Sequence, residues 1–565
     1  VRILILQLTR MGDMIQTTPL VRGLKKKYPN AHITAMLRPM SVPIAERVPE
    51  IDDVIVYEED DIFHDLQSGD SDRLLRAYIT TETYINDLRK RQFDVAYNCT
   101  HSTISGMLLR IVEMPRVFGA DFNDEWRFVL RGPWTNYFFT SAMTREYNAL
   151  NLCDVFQRIE PDPAPRQDLA LEVTAADRAA AQAILDKADV GPDDKIICFQ
   201  IGASDDNKRW AEANYAALAK RIVEKYNARI FLVGVKDEGR YGERFETLAP
   251  GLATHLFGKT SIGELAGLLE RSDLLVTNDT GTMHVAATVK CPITLVSVGY
   301  VQFRETGPYL PDCVAIEKRR VELKRSGWSS AATPIEEQPS PHHVFQAVEA
   351  TLAARAGRSA PSIPDTPDWK HIYMYRSEFA PDGCLEWYPL VKRPPSRIAL
   401  VRLAYRAMWL DYLDEDREYD NQEQFRKMLA HHQVDPDAAQ NDLRKLITDF
   451  AGIRDQARHG VAATEQLLQS LTETRDLATA QKLAADLTQL DEAIRVYGEL
   501  HRDVKPLVTI ARFGRDNLEG LDPVVLAQST LAIYQAMEAE AAGMEQKLLL
   551  LTEVVAPPVR SPAHG

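Results

Sequence analysis

The chain has 565 residues, 45% of them hydrophobic and 26% charged. That composition excludes a largely disordered chain, and at about 150 residues per domain the length suggests three or four domains. Lys and Arg total 66 against 81 Asp and Glu, a formal net charge of −15; this excludes a general nucleic-acid binder, which needs cationic surface, but leaves room for a local basic pocket. In chain order, the apolar run at 3–8 has no cleavage-site pattern behind it and predicts a strand rather than a signal peptide. Leu20, Val21, Leu24 and Tyr28 then recur at helical spacing. Further strands are predicted at 31–37, 54–57, 94–98 and 117–119. Such βαβα alternation implies a parallel sheet covered by helices on both faces.

A second α/β unit begins near Lys195, with a strand at 195–201. Tyr215, Leu218, Ala219, Ile222, Val223 and Tyr226 mark one helix face. Strands at 229–234, 273–277 and 292–298 alternate with helices at 261–271 and from Gly281. Two such units in tandem place a ligand cleft between them. A helix at 341–354 is followed by a Pro-, Ser- and Gly-rich linker at 355–369. The segment 371–391 alternates aromatic and polar residues around Pro381-Asp382-Gly383 and predicts a β-hairpin. From about Ser396 the pattern is helical, with stripes at Leu483, Leu487, Leu490, Ile494, Tyr497 and at Ile533, Tyr534, Met537, Ala541, Met544, Leu548, Leu551. Asp522-Pro523 is a good N-cap and first helical position. The expected domains are 1–160 and 161–355 (both Rossmann-like), 356–395 (linker and hairpin), 396–555 (helical bundle) and 556–565 (disordered tail).

Cysteines at 99, 153, 198, 291, 313 and 384 form no C-x-x-C pair and no zinc-type cluster, so buried free thiols in a reducing compartment are expected. No apolar run reaches the roughly 18 residues that span a membrane.

Three loops carry candidate chemistry. In Thr9-Arg10-Met11-Gly12-Asp13-Met14, Gly12 permits a tight turn and Asp13 falls at the start of a helix. Asp13 reads either as a helix cap or as a general base for an acceptor hydroxyl. In Thr277-Asn278-Asp279-Thr280-Gly281-Thr282-Met283-His284, free N–H groups at a helix start make an anion site, and Gly281 allows a phosphate to approach. Thr280 and Thr282 add hydroxyls. His284 reads equally as a ligand-loop partner or a structural histidine. In Gly202-Ala203-Ser204-Asp205-Asp206-Asn207-Lys208-Arg209-Trp210, Lys208 or Arg209 can neutralise a diphosphate, while Trp210 reads as packing. The sequence has no G-x-G-x-x-G dinucleotide motif, Walker A motif or G-x-S-x-G elbow.

Together the segments RILILQLTRMGDMIQTTPLVRGLKKKYPNAHIT, GASDDNKRWAEANYAALAKRI, HLFGKTSIGELAGLLERSDLLVTNDTGTMHVAAT and RETGPYL resemble glycosyltransferase family 9, the ADP-heptose:lipopolysaccharide heptosyltransferases. The resemblance covers roughly 350 residues by motif order and spacing. It implies an α/β GT-B fold, two Rossmann-like domains facing a cleft, here with an added C-terminal α-helical bundle. It implies inverting transfer of heptose, or a related sugar, from an ADP-sugar to a lipopolysaccharide, glycan or protein hydroxyl. By the same resemblance Asp13 is the base, Lys208 contacts the donor diphosphate, and Asp279, Thr280, Gly281, Thr282 and His284 bind donor. Gly12 and Ser204 join that donor set, Thr260 belongs to the segment 258–261 at the adenine pocket, and Glu238, with Asp237 as competitor, meets the ribose. Arg10 and His101 are the acceptor-side candidates, with Arg127 and Arg131 in the same region. No cofactor or essential metal is expected. The expected partners are a nucleotide-sugar donor and a glycan, lipid-linked or protein acceptor, with no nucleic acid. The expected location is cytoplasmic, or peripheral to the inner membrane if the acceptor is lipid-linked. The helical region offers a place for oligomerisation, partner binding or acceptor recognition. Competing readings are a GT-B sugar-nucleotide epimerase and a non-catalytic sugar-nucleotide-binding or assembly protein.

Overall fold

The computed structural model describes residues 1–319, 333–359, 363, 366–414 and 418–556. All of the predicted tail beyond Ala556, and parts of the predicted linker, lie outside the described residues. In chain order the elements used below are β1 (Arg2–Gln7), α1 (Met11–Lys27), β2 (His32–Leu37), β3 (Asp53–Val56), α2 (Glu59–Gln67), α3 (Ser71–Arg91), β4 (Val95–Asn98), β5 (Val117–Phe122) and β6 (Phe128–Arg131). Then follow β7 (Lys195–Gln200), β8 (Ala228–Val233), β9 (Ala253–His255), α4 (Ile262–Arg271), β10 (Leu274–Thr277), α5 (Gly281–Thr288), β11 (Ile293–Ser297), β12 (Val314–Lys318), β13 (Ile372–Phe379) and β14 (Leu385–Pro389). The last helices are α6 (Arg397–Leu413), α7 (Pro436–Gln469), α8 (Leu477–Leu500), α9 (Lys505–Asp516) and α10 (Pro523–Val555). These elements divide into two compact units, Val1–Tyr84 with Leu150–Val391 and Ile85–Ala149 with Lys392–Gly565.

In the first unit β3, β2 and β1 lie side by side in parallel. Ile3 to Leu6 are wholly buried, as an unbroken apolar strand covered on both faces must be. Pro19 sits inside α1 and removes the N–H that would reach the Ile15 carbonyl. The Thr18 hydroxyl donates to that carbonyl at 2.7 Å and restores the bond. The second sheet of this unit runs β14-β13-β12-β11-β10-β7-β8-β9. Strands β7 to β12 are parallel, and the predicted hairpin adds β13 and β14 antiparallel at the edge. Its turn holds Gly383 at φ +80°, and Asp382 accepts the Cys384 N–H at 2.9 Å. Chain order reverses at the β7–β10 pair, so their C-terminal ends, Gln200 beside Thr277, open side by side. Such switch points are where α/β sheets bind ligands.

In the second unit β4 and β5 are parallel, and β6 is antiparallel to β5. The exposed edge of β6 is closed by one side chain of the helical region. The Leu130 N–H donates to Asn517 Oδ1 at 2.7 Å, and Asn517 Nδ2 donates to the Leu130 carbonyl at 3.1 Å. The Trp134 indole N–H reaches Asp414 at 3.1 Å. Helices α7 and α10 form the long axis of the bundle, burying Leu443, Leu446, Phe450 and Ile453 with Tyr534, Met537, Met544, Leu548 and Leu551. The Tyr534 ring lies where a side chain at Gly460 would project. Asp522 caps α10, accepting the Val524 N–H at 2.8 Å. All six cysteines are free and buried. Among the described residues no helix is long and apolar enough to cross a membrane.

Candidate functional site

The first unit brings three loops to the C-terminal ends of its strands. The loop after β1 leads into α1, where the Asp13 carboxylate accepts the Arg10 backbone N–H at 3.1 Å. Asp13 is therefore a capping residue at the third helical position, half-buried. The loop after β10 leads into α5, whose N-cap, Thr280, is extended and lets the helix begin at Gly281. The loop after β7 carries Lys208, whose Nζ lies 3.0 Å from Asp279, both side chains about nine-tenths buried.

His284 joins these parts. It is 4% exposed, on the first turns of α5, and a Cβ at Gly12 would come within 2.8 Å of its Cδ2. A Cβ at Gly281 would in turn meet the Met11 methyl. The starts of α1 and α5 thus touch through two glycines, and Met14, Ile15, Met283 and Val285 continue the contact in one core. Burial pushes the His284 pKa below its ordinary value, against the nearby carboxylates of Asp279 and Asp13, which raise it. The ring does not bond back to its loop as its position suggests; its Nδ1 is buried without a hydrogen-bond partner among the described residues.

Behind the loops lies a polar layer. Glu238 accepts from the Val235 N–H and from Gln200 Nε2, both at 2.9 Å, in space kept open by Gly202 and Gly234. Asp237 is exposed. Thr282 Oγ1 donates to Gln200 Oε1 at 3.3 Å, so Gln200 ties Glu238 to the first turn of α5. Thr280 and Thr277 hydroxyls lie 3.3 Å apart. Asn278, fully buried, accepts the Trp210 N–H at 3.0 Å and donates to the Gly202 carbonyl at 2.9 Å, fastening the loop after β7 to the end of β10. Trp210 is wholly buried and donates to the Pro339 carbonyl, a packing residue as expected. Arg209 pairs with Asp206 and Glu212 and lies over the Tyr241 ring, leaving Lys208 as the cation at Asp279. Tyr300 donates to Asp205 at 3.0 Å, and Lys208 Nζ stands 5.0 Å from its ring centre. Burial, with Asp205 beside it, holds the Tyr300 phenol above its ordinary pKa.

Gln200, Asn278 and Tyr300 are not among the residues assigned from sequence. The available signal is a polar residue ending an apolar strand, as in Ile-Ile-Cys-Phe-Gln. Ser204 is exposed on the loop after β7, and Thr260, half-buried, precedes the N-cap of α4. Arg10 is exposed at the N-cap of α1. His101 belongs to the second unit and packs on Phe138 and Phe139, 3.7 and 4.8 Å between ring centres. Arg127 pairs with Glu125, and Arg131 with Asp121 and Glu519. Among the described residues no group of three His, Cys, Asp or Glu is placed to hold a metal ion.

Residues 83–327 match the family model of Glycosyltransferase family 9 (heptosyltransferase). The chain is 28% identical over 307 residues to lipooligosaccharide heptosyltransferase 2 of Haemophilus ducreyi, covering 53% of this chain and 82% of the relative. To lipopolysaccharide heptosyltransferase 2 of Escherichia coli K12 it is 25% identical over 304 residues, covering 52% and 81%. Its fold is like that of the glycosyl transferase family 9 crystal structure from Veillonella parvula, with a TM-score of 0.50, 21% identity, and coverage of 62% of this chain and 97% of the other. The family match ends before α6 to α10, which are an addition to it.

Proposed function

We propose that the chain is a member of glycosyltransferase family 9, to whose model residues 83–327 match, and that it transfers heptose, or a related sugar, from an ADP-sugar to a hydroxyl of a lipopolysaccharide, glycan or protein acceptor, inverting the anomeric centre. Asp13 takes the proton of the acceptor hydroxyl as its oxygen bonds to the anomeric carbon. The bond from that carbon to the diphosphate oxygen breaks on the opposite face. Lys208 and the backbone N–H groups at Gly281 and Thr282 receive the charge leaving with the nucleotide. Glu238, held by Gln200, accepts from the ribose hydroxyls, and the segment 258–261 borders the base. The observation that carries this reading is the contact of His284 with Gly12, which joins the helix bearing Asp13 to the helix start that would hold the diphosphate.

No divalent metal is required in this scheme, since the ammonium and the helix start supply the positive potential. Chelator in the assay is expected to leave the rate unchanged; loss of activity that added magnesium restores would contradict that. A nucleotide-sugar donor implies a cytoplasmic site of action, and a lipid-linked acceptor would bring the enzyme to the inner membrane.

Calorimetric titration with ADP, GDP and UDP tests the donor. ADP is expected to bind tightest, and Lys208→Ala to weaken it by about tenfold, the loss of one charge-assisted contact. Preference for UDP or GDP would overturn the ADP-sugar assignment.

A further inference from the structure

The loop after β11 fastens onto the loop that carries Lys208. Gly299 takes φ +68° and lies so close that a Cβ there would stand 2.3 Å from the Asn207 carbonyl oxygen. Thr333 donates to that same carbonyl at 2.8 Å. The next residue, Tyr300, is half-buried and donates its phenol to Asp205 Oδ2 at 3.0 Å. Asp205 Oδ1 accepts the Asn207 N–H at 2.8 Å and so caps the short turn Asp206–Lys208. Tyr300 therefore holds that turn through Asp205, and its ring centre stands 5.0 Å from the Lys208 ammonium at the end of the turn.

We propose that Tyr300 is a positioning residue for Lys208: its ring seats the ammonium and its phenol fixes the turn, so that a donor diphosphate meets a cation already in place. The proposal rests on the reading of Lys208 as the diphosphate contact. An ammonium has three N–H donors. Among the described residues one of them reaches a hydrogen-bond acceptor, Asp279 Oδ2 at 3.0 Å. Asp279 already offsets part of the charge, and a second carboxylate would hold Lys208 firmly while cancelling the rest. An aromatic ring attracts a cation through its quadrupole and carries no net charge. The ring thus limits where Nζ can go and leaves the positive potential to the incoming anion. Burial strengthens the effect: the Lys208 side chain is 9% exposed, and charge interactions grow as water is excluded. The two grips act together, since the bond to Asp205 orients the ring on which the ammonium rests.

Calorimetric titration of the full chain with ADP, arranged as a double-mutant cycle, tests this. Tyr300→Leu is expected to weaken ADP about fivefold at unchanged melting temperature, within the range of a cation–ring contact. Tyr300→Phe keeps the ring, loses only the bond to Asp205, and is expected to weaken ADP about twofold. In the Lys208→Met background Tyr300→Leu is expected to have no further effect, because no ammonium is left to seat. A second readout needs no nucleotide. In protein labelled with carbon-13 at the lysine ε-carbons, the signal that Lys208→Met removes is expected upfield, shifted by the ring. Tyr300→Phe leaves it there, and Tyr300→Leu moves it to the position of exposed lysines. Equal losses of affinity in Tyr300→Phe and Tyr300→Leu would overturn the proposal. So would an undiminished loss from Tyr300→Leu in the Lys208→Met background, or a Lys208 signal that does not respond to removal of the ring. ADP binding that weakens in Lys208→Met but not in Tyr300→Leu overturns this proposal alone. A wild type that binds ADP no more tightly than Lys208→Met does overturns the reading of Lys208 with it.

Discussion

At the scale of single residues the site depends on what is missing at Gly12. Any side chain there meets a histidine that is itself walled in, so the ring or the start of α1 must move. Gly12→Ala is expected to lower kcat by about 100-fold, the size of effect produced by an ångström of misplacement, while nucleotide binding changes little; equal loss in both would mean that the whole loop layer had moved. Gln200→Ala removes the link between Glu238 and Thr282. It is expected to raise the Kd for ADP about tenfold, a loss near 1.4 kcal/mol, with less effect on the bare diphosphate. His284 adds a pH dependence. Its folded-state pKa is depressed by burial, so the stability it contributes is present above the unfolded value near 6.5 and is lost as pH falls below it. His284→Gln is expected to flatten the melting-temperature profile on that acid side.

At the scale of elements, the helical addition is built into its unit by polar contacts as well as by its core. Asn517→Leu leaves the Leu130 N–H and carbonyl without their partner and is expected to cost about 1–3 kcal/mol, measured by denaturant unfolding. Asn517, the C-cap of α9, is not singled out by the sequence; that its amide closes a strand 387 residues earlier is a non-local fact without local pattern. Inside the bundle Glu540 is 5% exposed, and burial pushes its carboxyl up to about 8. A raised carboxyl leaves stability intact below the unfolded pKa near 4.5 and removes it as pH climbs toward 8. Glu540→Gln is therefore expected to stabilise the chain by roughly 3 kcal/mol at pH 7 and hardly at all at pH 4. A gain that did not grow with pH would contradict a buried, protonated carboxyl.

At the scale of the whole molecule, the fold class was legible from the alternation of strands and helices, and the three candidate loops stood out because each has its own chemistry. Gly12 and Asp13 come in the loop after β1, Gly202 and Lys208 in the loop after β7 and Asp279 in the loop after β10, and β7 and β10 are the pair at which chain order reverses in the second sheet. The hairpin 371–391 was legible from its alternation, but its attachment to β12 was not, because pairing across the gap between 318 and 372 leaves no periodicity. The strands β6, β9 and β12 were not read from the sequence; β12, at five residues, is as long as β11, so length alone does not hide it. The close packing of His284 on Gly12 was equally invisible, since the two lie 272 positions apart. The division of the chain also bears on truncation. Residues 85–149 share a unit with 392–565, so deleting 392–565 removes Asp414 from Trp134 and Asn517 from β6. The shortened chain is expected to lose cooperative unfolding, and loss of transfer in it would report folding as well as acceptor recognition.

The measurement that bears most directly on the account is transfer by Asp13→Asn beside its affinity for the nucleotide donor. The substitution keeps an oxygen to accept the Arg10 N–H and preserve the cap, and it removes the proton acceptor. The account predicts donor binding within about threefold of wild type, with transfer lowered by 100-fold or more. Full transfer by Asp13→Asn would contradict a base at this position and leave Asp13 a capping residue only.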